Sequence, residues 1–422
     1  MTATHHNTAG ASPVLSSPGN SPVRWLLLVV LLVASVFAAW RVIAIHQADR
    51  WAEDDPERAL RWMPRHPAAL LELAERQSRE GRHAAAAATA RRLLADEPLQ
   101  GKAYRLIGAA VAAGGDADAA LPLYRIAARR SPRDVPAQAW LAEHALRTGD
   151  FEAAVDRIGM MLRLAPRQRQ VLLPLLAQLA ANPRFADALA RRLEDRPPWR
   201  AMVLDALQRA ESHEGERKVL SALRANGGLT AAEWDAWIAA LMARGAWNEA
   251  YGRWAGTLDL KGGVLPLVYN GGFEQPVSGR GFDWRITRVP GVALDFEPVA
   301  GAEGLAAHVR FRGRRVAAVN LQQPLLLPPG AFRFSARMRA ERLRSELGLE
   351  WAVTCTGAGA PLATSSRIDG SFAWREIGMD IDIPLTGCPG QWLTLRNPVS
   401  SGSAQQVAGE LWFDEVKISS RR

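Results

Sequence analysis

The chain is poor in cysteine and lacks the short sequences that identify common enzyme sites. Only Cys355 and Cys388 occur among its 422 residues, and neither lies in a C-x-x-C spacing, which excludes a zinc ribbon or thioredoxin-like site. No HExxH, Gly-x-Ser-x-Gly or Gly-x-x-x-x-Gly-Lys sequence is present. Asp380 and Asp382 share the solvent-facing side of one predicted strand, with no opposing wall of the kind a glycosidase cleft needs. We therefore predict that the protein is not an enzyme and has no catalytic residues.

Long blocks of one charge are also absent, although the chain is basic overall. Lys and Arg number 52 against 43 Asp and Glu, a net charge of +9, and the arginines are dispersed among acidic residues. A nucleic-acid-binding protein usually concentrates its basic residues on one face or in one run. The dispersed pattern is instead typical of solvated helix faces, so we predict no nucleic-acid partner.

The N-terminal region contains a long apolar run. Residues 1–23 are rich in Thr, Ser, Gly, Asn and Pro and are predicted to be a disordered tail. Residues 24–45 read RWLLLVVLLVASVFAAWRVIAI, and the 21 residues from Trp25 to Ile45 would extend about 31 Å as a helix, close to the thickness of a bilayer core. We predict an uncleaved transmembrane anchor. A cleaved signal peptide is the alternative, although no small-x-small site precedes a polar mature start.

Charge alone does not fix the side of the membrane on which the rest of the chain lies. Arg24 precedes the span, whereas Arg41, Arg50 and Arg58 follow it, which leans weakly against export of the C-terminal part. The cysteines bear on the same question, because an exported domain would join Cys355 to Cys388 and a cytosolic domain would keep two buried thiols. We favour the disulfide.

A period of 34 residues runs through the next part of the chain. Residues spaced by 34 are Pro64, Pro98, Pro132 and Pro166, then Gly81, Gly115 and Gly149, then Ala86, Ala120 and Ala154. The stretch YRLIGAAVAAGGDADAALPLYRIAARRSP resembles the tetratricopeptide repeat, because it occupies the Trp-x2-Leu-Gly-x2-Tyr, Ala-x3-Phe and Pro positions of that repeat. We predict helical repeats over residues 50–260: three good repeats, a half-repeat at 51–64 fused to the anchor, and two or three degenerate pairs.

Repeat arrays of this kind bind a partner segment along their concave face. The first helices carry Leu71 and Glu75 in one repeat and Glu143 in another, while Lys102 and Arg105 form an isolated basic pair. A repeat array that binds the C-terminal carboxylate of a partner needs several cations along its first helices, and this array has too few. Its concave face carries small and apolar residues, which suit a helix or a protein surface. These five residues are our candidates for contact with a protein partner, and packing against the next repeat is the alternative.

Beyond the sequence VYNGGFEQP the hydrophobic period falls from 3.6 to 2, which indicates strands. Several short alternating segments separated by Pro-Gly turns predict an antiparallel sandwich over residues 264–422. NGGFEQPVSGRGFDW, LLLPPGAFRFSARM and LWFDEVKI resemble the landmarks of jelly-roll carbohydrate-binding modules of the galactose-binding-like class. That resemblance implies a structural calcium ion held by Glu274 and Asp414. The alternative is that Glu274 caps a turn and Asp414 lies on the surface.

The fold class is therefore multidomain: a transmembrane helix, an all-α repeat solenoid and an all-β jelly roll. Sugar binding needs an exposed aromatic ring with polar neighbours. In QWLTLRN, Leu393 and Leu395 face inward, which leaves Trp392, Thr394 and Arg396 as the candidate glycan patch. The resemblance implies an accessory protein of polysaccharide assembly or export, anchored in the inner membrane with most of the chain in the periplasm. A pure protein-interaction scaffold is the alternative.

Overall fold

The computed structural model describes residues 22–259, 264–319, 321–399 and 402–421. Residues 1–21 of the predicted disordered tail lie outside this range. The chain divides into two compact units, Met1–Leu223 and Arg224–Arg422, which we term the first and the second unit.

The first unit is helical. Its helices are α1 (Pro22–Trp51), α2 (Pro56–Trp62), α3 (Pro67–Arg79), α4 (His83–Asp96), α5 (Gly101–Ala113), α6 (Ala117–Arg130), α7 (Val135–Thr148), α8 (Phe151–Leu164), α9 (Arg169–Leu179), α10 (Pro183–Glu194), α11 (Arg200–Arg209) and α12 (Glu214–Ala225), the last of which ends just beyond the boundary. The predicted pairing of helices from residue 50 onwards is confirmed.

The 34-residue period has a packing cause. Ala86, Ala120 and Ala154, one in each repeat, are completely buried where paired helices meet. At Gly108 an added Cβ would lie 3.1 Å from the ring of Tyr124, so a larger residue there would have to displace that ring by a few tenths of an ångström. The periodic glycines have a different cause, because they adopt positive φ in the turn between the two helices of a repeat, as Gly81 does at 76°.

α1 differs from the other helices in its exposed apolar surface. From Arg24 to Trp51 its mean hydropathy is 2.6 over the most apolar window, and none of that window is buried. Its length and composition fit a membrane span, and they would fit a signal sequence equally. Packing begins only at Ala44 and Ala48, which are 1% and 0% exposed.

The second unit combines a helical pair with a β-sandwich. The helices are α13 (Ala231–Ala243) and α14 (Trp247–Ala255), and the strands are β1 (Arg285–Ile286), β2 (Val292–Pro298), β3 (Leu305–Arg315), β4 (Leu321–Leu325), β5 (Gly330–Ser345), β6 (Glu350–Cys355), β7 (Ala363–Thr364), β8 (Gly370–Ile383), β9 (Gln391–Arg396) and β10 (Gln406–Ser420). The first sheet has the order β1-β4-β9-β6-β7 and the second sheet β2-β3-β10-β5-β8, with antiparallel pairing throughout. The predicted sandwich is confirmed.

The core lies between the two sheets and follows the period of two. Phe334, Ala336 and Met338 of β5 are at most 1% exposed, and the residues between them, Ser335 and Arg337, point outward. The segment before β6 departs from this pattern. Leu347 is 52% exposed because the chain turns at Gly348, where φ is +73°, so β6 begins only at Glu350.

The last helical pair, which the sequence groups with the repeats, packs against the sandwich. The ring of Trp247 in α14 lies 5.9 Å from that of Trp392 in β9 and 5.7 Å from that of Phe282. A Cβ at Gly390 would lie 2.1 Å from Trp247, so this glycine leaves the space that the indole fills. The pair therefore belongs to the same compact unit as the strands.

Candidate functional sites

The candidate residues of the repeat face lie in an ion network that links neighbouring repeats. Arg105 of α5 donates from Nε to Asp134 Oδ2 at 2.7 Å and from Nη2 to Glu75 Oε1 of α3 at 2.9 Å. Lys102 Nζ lies 3.8 Å from the same Glu75 oxygen. Asp134, which precedes α7, has a side chain only 4% exposed. Three of the five candidates, Glu75, Lys102 and Arg105, therefore come together around a buried carboxylate that sequence inspection missed.

The other two candidates lie apart from this network. Leu71 is partly buried and packs against the core formed by Leu70, Ala74 and their neighbours. Glu143 is 69% exposed and pairs with Arg147 on its own helix at 3.8 Å. Leu71 thus contributes mainly to packing, whereas Glu143 lies on an accessible surface.

A larger apolar surface lies farther along the array, between α9 and α11. We call it the α9–α11 groove; it has a volume of about 750 Å³, and its lining includes Leu173, Pro174, Ala177, Ala206 and Arg209. Val171 and Leu175, on the same helix, are 65% and 42% exposed. Pro174 within α9 cannot donate a main-chain hydrogen bond, which leaves a carbonyl of the preceding turn without its helical partner.

The predicted glycan patch shares one face of β9, but its aromatic end is covered. Trp392 lies beneath Trp247, and the Arg285 guanidinium is 4.9 Å from its ring. At the other end, Arg396 donates from Nε to Glu350 Oε1 at 2.7 Å, and the Glu350 side chain is 2% exposed. Trp392, Thr394 and Arg396 therefore lie on a surface that already has partners within the second unit.

The outer face of the second sheet carries a different set of aromatic and polar groups. Trp412 of β10 stands opposite His308 of β3 on one side and Arg339 of β5 on the other. Its ring stacks on His308 at 4.3 Å with an interplanar angle of 18°, and the Arg339 guanidinium lies 4.9 Å from its centroid. Trp374 of β8 falls at the irregularity between the Met338–Arg375 and Ala340–Phe372 pairs, and the Arg337 guanidinium lies 5.6 Å from its centroid. We call Trp374, Arg339, Trp412 and His308 the planar row.

Acidic side chains flank the planar row. Both ring nitrogens of His308 contact carboxylates, Nδ1 with Glu297 Oε1 at 2.6 Å and Nε2 with Glu410 Oε2 at 2.8 Å. Trp374 is half-buried; its Nε1 donates to the Ala300 carbonyl at 2.9 Å, and the backbone of Gly301 lies against its ring. The sequence hides this site because Trp412 stands between Leu411 and Phe413. Only the period of two shows that it points away from the core.

The proposed calcium ligands meet beside Gly272. A Cβ added to that glycine would lie 3.8 Å from both Asp414 Oδ1 and Glu274 Cγ. Asp414 is 1% exposed and accepts N–H bonds from Glu303 and Glu415, while Glu274 accepts one from Leu305. Burial raises the pKa of Asp414, although the two N–H bonds act against the rise.

This carboxylate pair fits a calcium ion in charge and in ligand type. A buried carboxylate with a raised pKa is stabilised by a nearby cation, and oxygens that accept one hydrogen bond keep a free lone pair. Among the described ranges, no three His, Cys, Asp or Glu residues form a group that could hold a metal. Backbone carbonyls would therefore have to supply most of the ligands.

The two cysteines are joined. A disulfide links Cys355, at the end of β6, to Cys388, which precedes β9. The bond ties together two neighbouring strands of the first sheet next to Gly390, where Trp247 packs.

Comparisons with known proteins gave one family model and several solved structures. Residues 111–179 match the family model of the tetratricopeptide repeat. A thermophilic tetratricopeptide-repeat protein of Thermus thermophilus is 23% identical, over 43% of this chain and 94% of that one, with a TM-score of 0.25. A carbohydrate-binding module, CBM4, is 13% identical over 36% and 99% of the respective chains, with a TM-score of 0.29.

A third solved structure, the CBM22-1 xylan-binding domain of Paenibacillus barcinonensis Xyn10C, is 13% identical over 35% of this chain and 90% of that one, with a TM-score of 0.25. No curated protein matches the chain. The predicted order of an apolar helix, tetratricopeptide repeats and an antiparallel sandwich is confirmed, and the repeats are a fold that binds protein partners.

The ion network predicts that Arg105 and Lys102 contribute very differently to the stability of the repeats. Arg105→Ala should lower the free energy of unfolding by about 3 kcal/mol, because it leaves the buried Asp134 carboxylate without its partner. Lys102→Ala removes a longer, half-exposed contact and should cost less than about 1 kcal/mol. Both changes in the free energy of unfolding can be measured by urea unfolding of the first unit without its apolar segment, monitored by circular dichroism. Equal effects would show that Arg105 does not hold the repeats together.

Proposed function

We propose that this protein is a non-enzymatic, membrane-anchored scaffold whose repeats bind a protein partner and whose sandwich contacts a glycan. The setting would be the assembly or export of cell-envelope polysaccharide. Support comes from the combination of features in one chain: a helix of span length, a tetratricopeptide array and an antiparallel sandwich with an aromatic face.

The planar row is the observation that carries the glycan part of this proposal. Trp374 offers a partly exposed ring, and the Arg337 guanidinium, 5.6 Å from its centroid and paired with Glu415, brings donors and acceptors for sugar hydroxyls close to it. The Trp392 patch is a poorer candidate because Trp247 covers its aromatic end. We therefore assign glycan contact to the second sheet in place of Trp392, Thr394 and Arg396.

The protein partner would bind the first unit at the α9–α11 groove. Its lining is mainly apolar, and Val171 and Leu175 extend the apolar surface beyond it. Exposed apolar side chains at this helical spacing suit an amphipathic helix of the partner. The network around Arg105 has its charges paired internally, which makes it a weaker site for recognition.

The disulfide supports a location outside the cytosol, because such bonds persist in oxidising compartments. We place the anchor in the inner membrane and the bulk of the chain in the periplasm, against the weak signal of the flanking arginines. A reporter enzyme fused after Arg422 that is active only in the periplasm is the expected result. Activity confined to the cytosol would overturn this orientation.

Glycan binding can be tested with one residue from each sheet. Trp374→Ala should weaken retention of the full chain in polysaccharide affinity gels roughly tenfold, equivalent to about 1.4 kcal/mol. Thr394→Ala, on the outer face of the first sheet, is the matched control and should leave retention unchanged. Loss with Thr394→Ala alone would return the site to the Trp392 patch.

A scaffold without glycan binding is the second candidate, and one observation favours it. Both faces of the Trp412 ring are covered, by His308 and by Arg339, so this indole does not offer an open plane to a sugar. Absence of retention on both neutral and anionic polysaccharides, with wild-type folding intact, would select this candidate.

We also propose that Glu274 and Asp414 help to hold a structural calcium ion, which would tie the 303–305 segment to β10. Calcium should then raise the thermal unfolding midpoint of the second unit, and a chelator should lower it. Glu274→Gln keeps an acceptor for the Leu305 N–H and should abolish this response. An identical midpoint with and without chelator would show that the carboxylates act only as hydrogen-bond acceptors.

A further inference from the structure

α1 passes from its apolar run into the first repeat without a break. Ala44 is 1% exposed although Ile43 and Ile45 on either side of it are 53% and 40% exposed. The elements that pack on α1 are α2 and α3. Packing of the repeat therefore begins inside the apolar run rather than after a linker.

α2 returns along α1 towards that run. The main-chain N–H of Asp55 donates to the Trp51 carbonyl at 2.9 Å, and the Arg58 guanidinium lies 3.9 Å from the Trp51 ring. At 1.5 Å per residue, the seven residues of α2 cover about 10 Å, the same distance that separates Trp51 from Ala44 along α1. The C-terminal end of α2 thus lies on the side of the array from which the apolar run emerges.

α3 runs parallel to α1, which fixes the direction of the edge that these turns form. His66 Nε2 contacts Asp49 Oδ1 at 2.9 Å, and Ala52 and Ala69 share one cluster. Both pairs are 17 residues apart, so α3 begins beside the last residues of α1 and continues in the same direction. The turn between α2 and α3 therefore lies on the side of the array from which the apolar run extends.

The side chains at this edge have the chemistry of a bilayer interface. Trp62 is 39% exposed, Arg61 is exposed, and the Arg65 side chain is 82% exposed. The next turn on the same edge carries Leu99, 75% exposed, and is held beside the first by the Arg65–Asp96 pair at 3.5 Å. Tryptophan favours the headgroup region, and arginine favours lipid phosphates.

We propose that this edge of the array, formed by Trp62, Leu99, Arg61 and Arg65, lies in the lipid headgroup region. The occupant is the bilayer itself, because the same helix that spans it supplies the first helix of the array. This inference rests on the proposed membrane anchor. The first repeats then contact the membrane surface directly, in addition to being joined to the helix that spans it.

The absence of a free cysteine makes the test direct, because both native thiols are in the disulfide. Trp62→Cys, Leu99→Cys, Val33→Cys and Glu80→Cys are each labelled with a nitroxide in the full chain. The chain is reconstituted into phosphatidylcholine vesicles containing a minority of phosphatidylglycerol. Accessibility to oxygen and to a water-soluble nickel chelate is then measured by power saturation.

Val33, in the middle of the apolar run, reports on the anchor, and Glu80, at the far end of α3, is the aqueous control. Labels at 62 and 99 should lose nickel accessibility and gain oxygen accessibility relative to the label at 80. Unchanged circular dichroism confirms that each variant is folded. If the labels at 62 and 99 show the accessibility of a water-exposed label while the label at 33 lies in lipid, the proposal for the edge is wrong and the proposed anchor is supported. An aqueous label at 33 would overturn both.

Discussion

The first unit depends on close approach between helices at positions that have no room for a large side chain. Where Gly108 meets Tyr124, or where Ala86, Ala120 and Ala154 are completely buried, one residue sets the distance between two helices. Repetition of that distance every 34 residues produces a stack in which each pair covers its neighbour. Ala44 and Ala48 extend the same rule into α1, so the apolar helix joins the array as its first member.

In the second unit, close approach at positions without a side chain also determines how the helical pair packs against the sandwich. Glycines at 281 and 390 leave space for Trp254 and Trp247, and a Cβ at either glycine would come within about 2 Å of an indole. These two contacts decide which face of the sandwich remains accessible. With the aromatic end of the first sheet covered by α14, the partly exposed indole of the second sheet is Trp374, because Trp412 and His308 are 6% and 4% exposed.

Sequence periodicity predicted the elements well because their causes are local. A buried alanine every 34 residues and a buried residue at every second strand position can each be read from one segment of chain. The domain boundary was harder to predict, because Trp247 and Trp254 occupy helix positions that would suit a repeat equally. What assigns α14 to the sandwich is a pair of glycines far along the sequence.

The candidate sites were less predictable because they depend on distant partners. The phase of β9 placed Trp392, Thr394 and Arg396 on one face, yet it could not show that Trp247 lies above that face. The Glu350 side chain is only 2% exposed because Arg396 and Arg367, both distant in sequence, bring the opposite charge to it. In the sequence Lys102 and Arg105 form an isolated basic pair, whereas in the structure Asp134, in the turn before the next repeat, accepts a hydrogen bond from Arg105.

The direct passage of α1 into the repeats has a mechanical consequence. A helix resists torsion far more than a flexible linker does, so rotation of the apolar segment about its long axis must turn the first repeats with it. The direction in which the α9–α11 groove faces, measured around that axis, is therefore fixed by which side of the apolar helix contacts another such helix. Any association between such helices would therefore also set the angle at which two grooves face each other.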